Sequence, residues 1–272
     1  MENSCGTCAR TIEWSSGLDL PKVAALSLVL VSALLLVFSF PPFDAEFLAW
    51  FALVPLLVAL DGRSRSSAFL FSWLLGTVFC IGIGSWVTVA VLGFTTLDLL
   101  LAGLALGLYY GLFGLGLAHC RVNRQWPLVM TAPALWVTME FLRSQIGVLE
   151  LPWGLLSHTQ YRNLAMIQIA SFASAHGVTF LLVVVNAFFA DALLWLLRSP
   201  HAIPRGSTVL RYAAGVLSVV ALTYVYGLSS LSQEESQEES RERISVTVIQ
   251  GNIPADLKSD PSYRVVNAEK HM

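Results

Sequence analysis

The sequence LDLLLAGLALGLYYGLFGLGLAH, residues 97–119, decides the fold class of this protein. It is almost entirely apolar, and a helix of this length, rising about 1.5 Å per residue, crosses the ~30 Å hydrocarbon core of a bilayer. Gly103, Gly107 and Gly111 recur at four-residue spacing, which is typical of a face that a second membrane helix approaches closely. The stretch therefore predicts a transmembrane helix packed against another helix.

The composition of the whole chain fits a membrane protein. Of its 272 residues, 56% are hydrophobic and 12% are charged, and the mean hydropathy is +0.67. A soluble domain carries about 25% charged residues, so an integral membrane protein is the class that the composition favours. The net charge of -2 gives no general attraction to nucleic acid, and we expect no nucleic-acid partner.

Six further apolar segments surround this stretch and are separated from one another by polar connections. Together the segments predict an all-α polytopic membrane helix bundle of about seven transmembrane helices. The predicted spans are residues 21–40, 43–60, 68–92, 97–119, 127–146, 164–197 and 212–231. The sixth is longer than one bilayer crossing, and we expect an interfacial piece followed by a break near His176 and Gly177.

The C-terminal residues have a different pattern. Residues 244–249 read Ile-Ser-Val-Thr-Val-Ile, a period-two pattern of β-branched residues that predicts a strand. Gln250-Gly251-Asn252 and then Pro254 end it. We expect the first strand and the start of a helix of an α/β domain, and Met272 comes too early to complete that domain. The predicted domains are a polar tail (1–20), a membrane domain (21–231), a charged linker (232–243) and this incomplete domain (244–272).

Basic residues mark alternate connections and predict the orientation. They precede the first span and follow the second, fourth and sixth: Arg10, Lys22, Arg63, Arg65, Arg121, Arg124, Arg198, Arg205 and Arg211. Because basic connections stay on the cytoplasmic side, the N-terminus is predicted to be cytoplasmic. With seven spans, residues 244–272 then lie on the opposite, extracytoplasmic side of the membrane.

Several short motifs occur in an order that resembles one protein family. The motifs are Ser39-Phe40-Pro41-Pro42-Phe43, LAWFALVPL at 48–56, Pro133-Ala134-Leu135-Trp136 with Glu140 and Arg143, Leu151-Pro152-Trp153, Gly177-Val178-Thr179-Phe180-Leu181, and Gln250-Gly251-Asn252-Ile253-Pro254. In this order they resemble the bacterial apolipoprotein N-acyltransferases, members of the nitrilase superfamily with an N-terminal membrane domain. The resemblance begins near Pro21 and covers only the membrane half and the first strand of the nitrilase-type domain.

The resemblance implies a location and a reaction. It implies a multi-pass protein of the bacterial inner membrane with its C-terminus in the periplasm. It also implies that an acyl chain passes from a phospholipid to a cysteine thiolate, and then to the N-terminal cysteine amine of a diacylated lipoprotein. A glutamate serves as the base and a lysine stabilises the oxyanion in such sites. The implied partners are therefore a phospholipid acyl donor, a diacylated lipoprotein and the bilayer, without a cofactor.

None of the catalytic Glu-Lys-Cys set can be placed in this chain. In the family all three residues follow the Gln-Gly-Asn strand, whereas the four cysteines here precede it. The family's Lys-Trp-Asp reads Lys258-Ser259-Asp260 here, without the tryptophan. We therefore expect the chain to be inactive alone, as a truncated frame or as one part of an enzyme whose second chain carries the catalytic domain. Cys5 and Cys8 form a lone C-x-x-C, either half of a metal site or part of a disordered tail; the lack of a second pair favours the tail.

Candidate substrate residues remain within the membrane domain. Glu140 and Arg143 are three apart on the fifth span and face the same way, so they predict either an ion pair near its outer end or contacts to a phospholipid headgroup. Trp153 is the third candidate lipid-binding residue. Asn186 and Asp191 on the sixth span are expected to bond across helices. Four tryptophans near predicted span ends suggest an aromatic belt: Trp50, Trp86, Trp136 and Trp153.

A different class of function fits the same composition. The chain could be a non-enzymic membrane subunit, either lipid-binding or permease-like. A permease is expected to contain related repeats with interrupted helices or charged pathway residues. The sequence contains no large internal repeat, which weighs against a permease.

Overall fold

The computed structural model describes residues 18, 20–91, 93–124, 126–145, 150–200, 206–238 and 245–248, and these are mostly helical. In chain order the α-helices of this part are α1 (Lys22–Phe38), α2 (Val54–Ala59), α3 (Arg65–Gly84), α4 (Val87–Ala90), α5 (Thr96–Arg124), α6 (Leu128–Gln145), α7 (Leu164–Ile167), α8 (Ala170–Leu196) and α9 (Gly206–Glu238). Two short 3-10 helices span Glu46–Trp50 and Leu156–Gln160. Cys5 and Cys8 lie outside the described residues.

Four helical segments are long and apolar enough to cross a membrane. They are Arg65–Ala90, Thr96–Arg121, Ala170–Leu196 and Gly206–Glu234. The helix α1, with 17 residues, and the segment Glu46–Ala59 are shorter apolar helices. A helical membrane protein is thus supported, whereas the number of seven spans stays a prediction.

The second predicted span, residues 43–60, is not one continuous helix. Its first half forms a 3-10 helix and its second half forms α2, with irregular backbone between them. At membrane depth such backbone is stable only where its polar groups are paired inside the protein. Asn186 of α8 supplies these partners, because its side chain donates to the Ala49 carbonyl and accepts from the Leu53 amide, each at 2.8 Å. The prediction that Asn186 bonds across helices is confirmed.

The helices α3 and α5 form the most extensive helix pair of the bundle. Glycines of α5 face α3, and a Cβ atom at Gly107 would lie 2.5 Å from the Thr77 hydroxyl and 3.0 Å from the Trp73 carbonyl. A Cβ atom at Gly103 would lie 2.6 Å from the Ile81 side chain. The close approach predicted from the glycine spacing is therefore confirmed.

Buried charges tie the helices together at the end of the bundle where α1 and α3 begin. Arg121, near the end of α5, lies 3.2 Å from the Asp61 carboxylate and 3.6 Å from the Asp191 carboxylate. Asp191 also accepts a hydrogen bond from the Val129 amide at the start of α6, 3.2 Å away. The predicted cross-helix role of Asp191 is confirmed, and the cluster connects α5, α6, α8 and the end of α2.

The stretch 164–197 is divided, but earlier than the expected break at His176 and Gly177. A four-residue helix, α7, precedes α8, and Ser174 within α8 has non-helical angles (φ 58°, ψ −178°) that mark a kink. This kink lies two residues before His176, close to the predicted break. The segment 164–197 is therefore a short helix followed by a long, kinked one.

The last described helix is longer than its sequence pattern indicates. The predicted seventh span is residues 212–231, whereas α9 extends from Gly206 to Glu238 and so continues into the stretch expected to be a linker. Beyond it, Ser245–Val248 are exposed and lie in no strand. A strand is stable only when its backbone groups pair with a neighbour, and the described residues provide none here. The nitrilase-type start therefore stays a prediction.

Candidate functional site

Glu140 lies in the interior of the bundle and fixes the backbone that follows α6. Its side chain is 2% exposed, because the inward face of α6 packs against α5 and α8. Carboxylate Oε1 accepts hydrogen bonds from the Trp136 indole at 3.0 Å and from the Leu156 amide at 2.8 Å. Glu140 therefore holds the 3-10 helix that begins at Leu156 against α6.

Arg143 organises the preceding part of the same connection. Its guanidinium donates to the carbonyls of Leu151 at 3.1 Å, Trp153 at 2.7 Å and Gly154 at 3.2 Å. Like Glu140, it is 2% exposed. The planar fork of an arginine fits several carbonyl acceptors at once, and this satisfies donors that would be costly to bury unpaired. One turn after Glu140, the side chain thus fixes residues 151–154 over the end of the bundle.

The predicted ion pair between Glu140 and Arg143 is not formed, although both residues belong to the described part of the chain. Each side chain instead bonds backbone groups of the connection between α6 and α8. These partners explain the difference, because backbone carbonyls take the guanidinium donors of Arg143, while Oε1 of Glu140 accepts from the Leu156 amide and the Trp136 indole.

A cavity of about 520 Å³ lies between α3, α4, α5 and the segment 150–154. Its volume falls within the range of small-molecule sites in proteins. The lining is mostly apolar: Cys80, Ile83, Gly84, Trp86, Val87, Phe94, Leu99, Ala102, Gly103, Leu106, Leu151 and Trp153, with Arg143 and Glu150 as its charged members. The cavity therefore offers an apolar space with one cationic and one anionic side chain in its lining.

Two tryptophans stand together at the wall of this cavity. The rings of Trp86 and Trp153 meet edge to face, with centroids 5.8 Å apart and an interplanar angle of 77°. Trp86 is 54% exposed and Trp153 is 37% exposed, so both also reach the protein surface. Tryptophan favours the boundary between hydrocarbon and headgroups, which places this end of the cavity at that depth if α3 and α5 cross the bilayer.

The structure brings together two of the three predicted lipid-binding residues. Arg143 and Trp153 both line the cavity and share a hydrogen bond, whereas Glu140 lies deeper and does not line it. Trp136, predicted to belong to an aromatic belt, is 2% exposed and packs between Tyr110 and Phe113, so the belt prediction is wrong for this residue. The buried indole N–H is satisfied by its hydrogen bond to Glu140 Oε1, 3.0 Å away.

Sequence reasoning missed the rest of the lining. Ala102 and Leu99 resemble every other apolar residue of α5, and nothing in the local sequence indicates that they face a cavity. Glu150 gives one signal, an acidic residue beside an apolar span, but its relevance depends on the fold of residues 150–154. Among the described residues no cluster of His, Cys, Asp and Glu is suited to a metal ion.

Comparison with known proteins agrees with the resemblance in the sequence. A protein-family model described as the apolipoprotein N-acyltransferase N-terminal domain matches residues 32–188 of the sequence. Proteins named apolipoprotein N-acyltransferase from Geobacter metallireducens and Haemophilus influenzae are each 31% identical to this chain over 87% of its length. One from Thermotoga maritima is 27% identical over 87% of the chain.

The matches cover less than half of those relatives. The chain spans 45% of the Geobacter protein, 44% of the Haemophilus protein and 46% of the Thermotoga protein. The match to the domain model covers more than half of the present chain. This chain therefore belongs to the apolipoprotein N-acyltransferase family and contains the family's N-terminal domain.

Proposed function

We propose that these 272 residues form the membrane domain of a bacterial apolipoprotein N-acyltransferase. In this proposal the domain binds the phospholipid acyl donor, and a diacylated lipoprotein is the acceptor. The observation that carries the proposal is the 520 Å³ apolar cavity next to Arg143 and Trp153. The four apolar helices and the names of the relatives support it.

The cavity is suited to one acyl chain of a phospholipid. Its apolar lining replaces the hydrocarbon environment that the chain leaves, so transfer into the cavity costs little. The tryptophans at its wall match the depth of the ester groups. Arg143 supplies a buried positive charge, and Glu150 a negative one, at the polar end of the chain. We propose that Arg143 and Trp153 position the polar end of the acyl chain. Glu140 does not contact the lipid in this proposal and instead holds the backbone at Leu156 in place.

The proposed topology follows the distribution of basic residues. The chain is multi-pass in the bacterial inner membrane, with the N-terminus in the cytoplasm and residues 244–272 in the periplasm. The connection after α3, α4 and the segment 150–154 then face the periplasm, which is the side of a lipoprotein acceptor. The nitrilase-type start at residues 244–272 belongs to this proposal.

The reacting groups of the transfer are proposed to lie outside these residues. Transfer of the acyl group breaks the phospholipid ester, forms a thioester and then forms an amide with the lipoprotein amine. The thiol, its base and the oxyanion-stabilising cation would come from polypeptide beyond residue 272 or from a second chain. We propose that the 272-residue chain expressed by itself performs no transfer.

Filling the cavity tests its role as an acyl site. Ala102→Phe places a ring into the cavity, whereas Leu101→Phe enlarges a neighbouring side chain of α5 that is 55% exposed and outside the lining. Native mass spectrometry of the purified proteins should show one bound phospholipid fewer per protein in Ala102→Phe and no change in Leu101→Phe. Equal phospholipid content in both variants, with unchanged thermal stability, would contradict an acyl site in this cavity.

Expression in cells depleted of their own N-acyltransferase tests whether the 272-residue chain transfers acyl groups by itself. We expect lipoprotein N-termini to remain diacylated when the 272-residue chain is the only source, as measured by mass spectrometry. Triacylated N-termini would refute the claim that it is inactive alone.

The cavity also favours a second candidate, a non-enzymic lipid-binding subunit. This candidate predicts phospholipid in fixed stoichiometry and no gain in triacylation when a polypeptide with the family's catalytic domain is co-expressed. The enzyme proposal predicts such a gain. A permease-like role would require substrate-dependent flux in proteoliposomes.

A further inference from the structure

A second cavity, of about 320 Å³, lies between the first turns of α1 and α3. Three of its described lining residues are polar or cationic, and the others are apolar: Lys22, Arg63, Ser67, Val23, Leu26, Leu70 and Phe71. None of these seven residues is acidic. The cavity thus combines a cationic rim with apolar walls.

This cavity is separate from the acyl cavity described above. Ser67 lines it near the start of α3, and Gly84 lines the acyl cavity at the end of the same helix. Seventeen residues separate the two positions, which corresponds to roughly 25 Å along a helix. Because a bilayer core is ~30 Å thick, the cavities face opposite leaflets if α3 crosses the membrane.

The arginine of the second cavity is held in a fixed position. Its Nη2 donates to the Leu20 carbonyl at 2.6 Å, and its guanidinium carbon lies 5.8 Å from the centre of the Phe71 ring. The nearby Asp61 carboxylate does not neutralise this group, since it contacts Arg121 and the Ser199 hydroxyl. Among the residues that the structure describes, no carboxylate forms an ion pair with Arg63, so its positive charge stays available beside the cavity.

Lys22 brings a second cation to the same rim. It is exposed at the first residue of α1, and within the described part of the chain it forms no ion pair. Two cations beside an apolar groove between membrane helices suit a phosphate that carries acyl chains, because each part of such a ligand meets matching chemistry.

We propose that this cavity binds an anionic phospholipid of the cytoplasmic leaflet. Its phosphate lies between Lys22 and Arg63, and an acyl chain runs along Val23, Leu26 and Leu70. This lipid is not the acyl donor, because it occupies the opposite leaflet and the other end of α3. The assignment to the cytoplasmic leaflet rests on the topology given under the proposed function.

The test compares lipids of different charge on the full 272-residue protein. Phosphatidylglycerol and phosphatidylcholine with identical chains are titrated into the delipidated protein in neutral detergent, and bound lipid is counted by native mass spectrometry. We expect tighter binding of phosphatidylglycerol and about fivefold weaker binding after Lys22→Gln, since one cation near a membrane surface contributes about 1 kcal/mol. Arg211→Gln, at an exposed cation of α9 outside the cavity, should leave the affinity unchanged.

A second variant does not depend on charge. Leu70→Trp fills the cavity from a position that is 53% exposed, so it should reduce binding without disturbing the core. Glycerol phosphate, which has the charge but no chains, is expected not to compete with phosphatidylglycerol.

Four results would overturn the inference. They are equal binding of the two lipids, equal weakening by Lys22→Gln and Arg211→Gln, full competition by glycerol phosphate, and loss of phosphatidylglycerol binding in Ala102→Phe with retention in Leu70→Trp. The last result would place the lipid in the acyl cavity and would leave the proposed function standing. Failure of Ala102→Phe to reduce co-purifying phospholipid would instead contradict that function and leave the second cavity unaffected.

Discussion

Single residues with buried charge organise the proposed outer end of this domain. Arg143 holds residues 151–154 through three carbonyls, and Glu140 holds Leu156. The sequence indicated that these two charges matter, because an ionisable residue inside an apolar span is costly unless it has a role. It could not indicate their partners, since these are backbone groups whose position depends on the fold of the connection.

Removing Arg143 should release the segment that carries Trp153. Arg143→Met leaves three carbonyls without this partner, of which the buried Gly154 carbonyl would cost about 1–3 kcal/mol if it stayed unpaired. We expect a large loss of thermal stability in detergent and a shift of tryptophan fluorescence, with a smaller loss in Arg143→Lys. Arg211→Met serves as the exposed control, and an equally small effect in both methionine variants would contradict this role.

His158, in the 3-10 helix after Leu155, should make stability depend on pH. Burial lowers its pKa from the ordinary 6.5, and electrostatic interaction with Arg143 and His176 lowers the pKa further. His158 therefore takes up a proton at a higher pH in the unfolded chain than in the folded one. Its contribution to the free energy of unfolding is complete above about pH 6.5 and is lost as the pH falls below that value. Thermal stability should drop less between pH 7.5 and 5.5 in His158→Asn than in the wild type. If the thermal stability of the two proteins depended on pH in the same way, His158 would not be the source of the pH dependence.

At the level of elements, the success of the sequence interpretation depended on whether a pattern was local. The span at residues 97–119 was predicted well, because an apolar run and a glycine face are properties of one helix. The span at 43–60 failed as a single helix, since its irregular backbone relies on Asn186, more than a hundred residues away. Ser245–Val248 illustrates the same limit, because a strand requires a partner that a local pattern does not supply.

The close packing of α5 against α3 can be tested by adding a methyl group at one glycine of the contact. In Gly107→Ala the new Cβ atom would lie 3.0 Å from the Trp73 carbonyl and 2.5 Å from the Thr77 hydroxyl, so the helices must move apart. We expect a loss of about 1–3 kcal/mol in unfolding free energy. Gly215→Ala on α9 is the matched control, because nothing lies within 4 Å of its Cβ atom and alanine favours a helix by about 1 kcal/mol. A Gly107 variant as stable as the Gly215 variant would contradict the packing described.

For the whole molecule, the two ends of α3 have different chemistry. One end has a cationic cavity near a buried cluster of Asp61, Arg121 and Asp191, and the other has an apolar cavity beside Arg143. The basic residues of the first end produced a signal in the sequence through the positive-inside pattern, and Arg143 of the other end did so as an ionisable residue in an apolar span. Neither cavity could be predicted, because each forms where helices distant in sequence leave a gap.

The most direct test of the account is to map where a phospholipid chain lies in this protein. The protein is reconstituted into nanodiscs with a phospholipid that carries a photoreactive diazirine within one acyl chain, irradiated, digested and analysed by mass spectrometry. The account predicts cross-links concentrated in residues 80–87, 99–106 and 150–154, and their loss in Ala102→Phe. Cross-links spread evenly over the exposed apolar surface of α9, with none in those three segments, would contradict it.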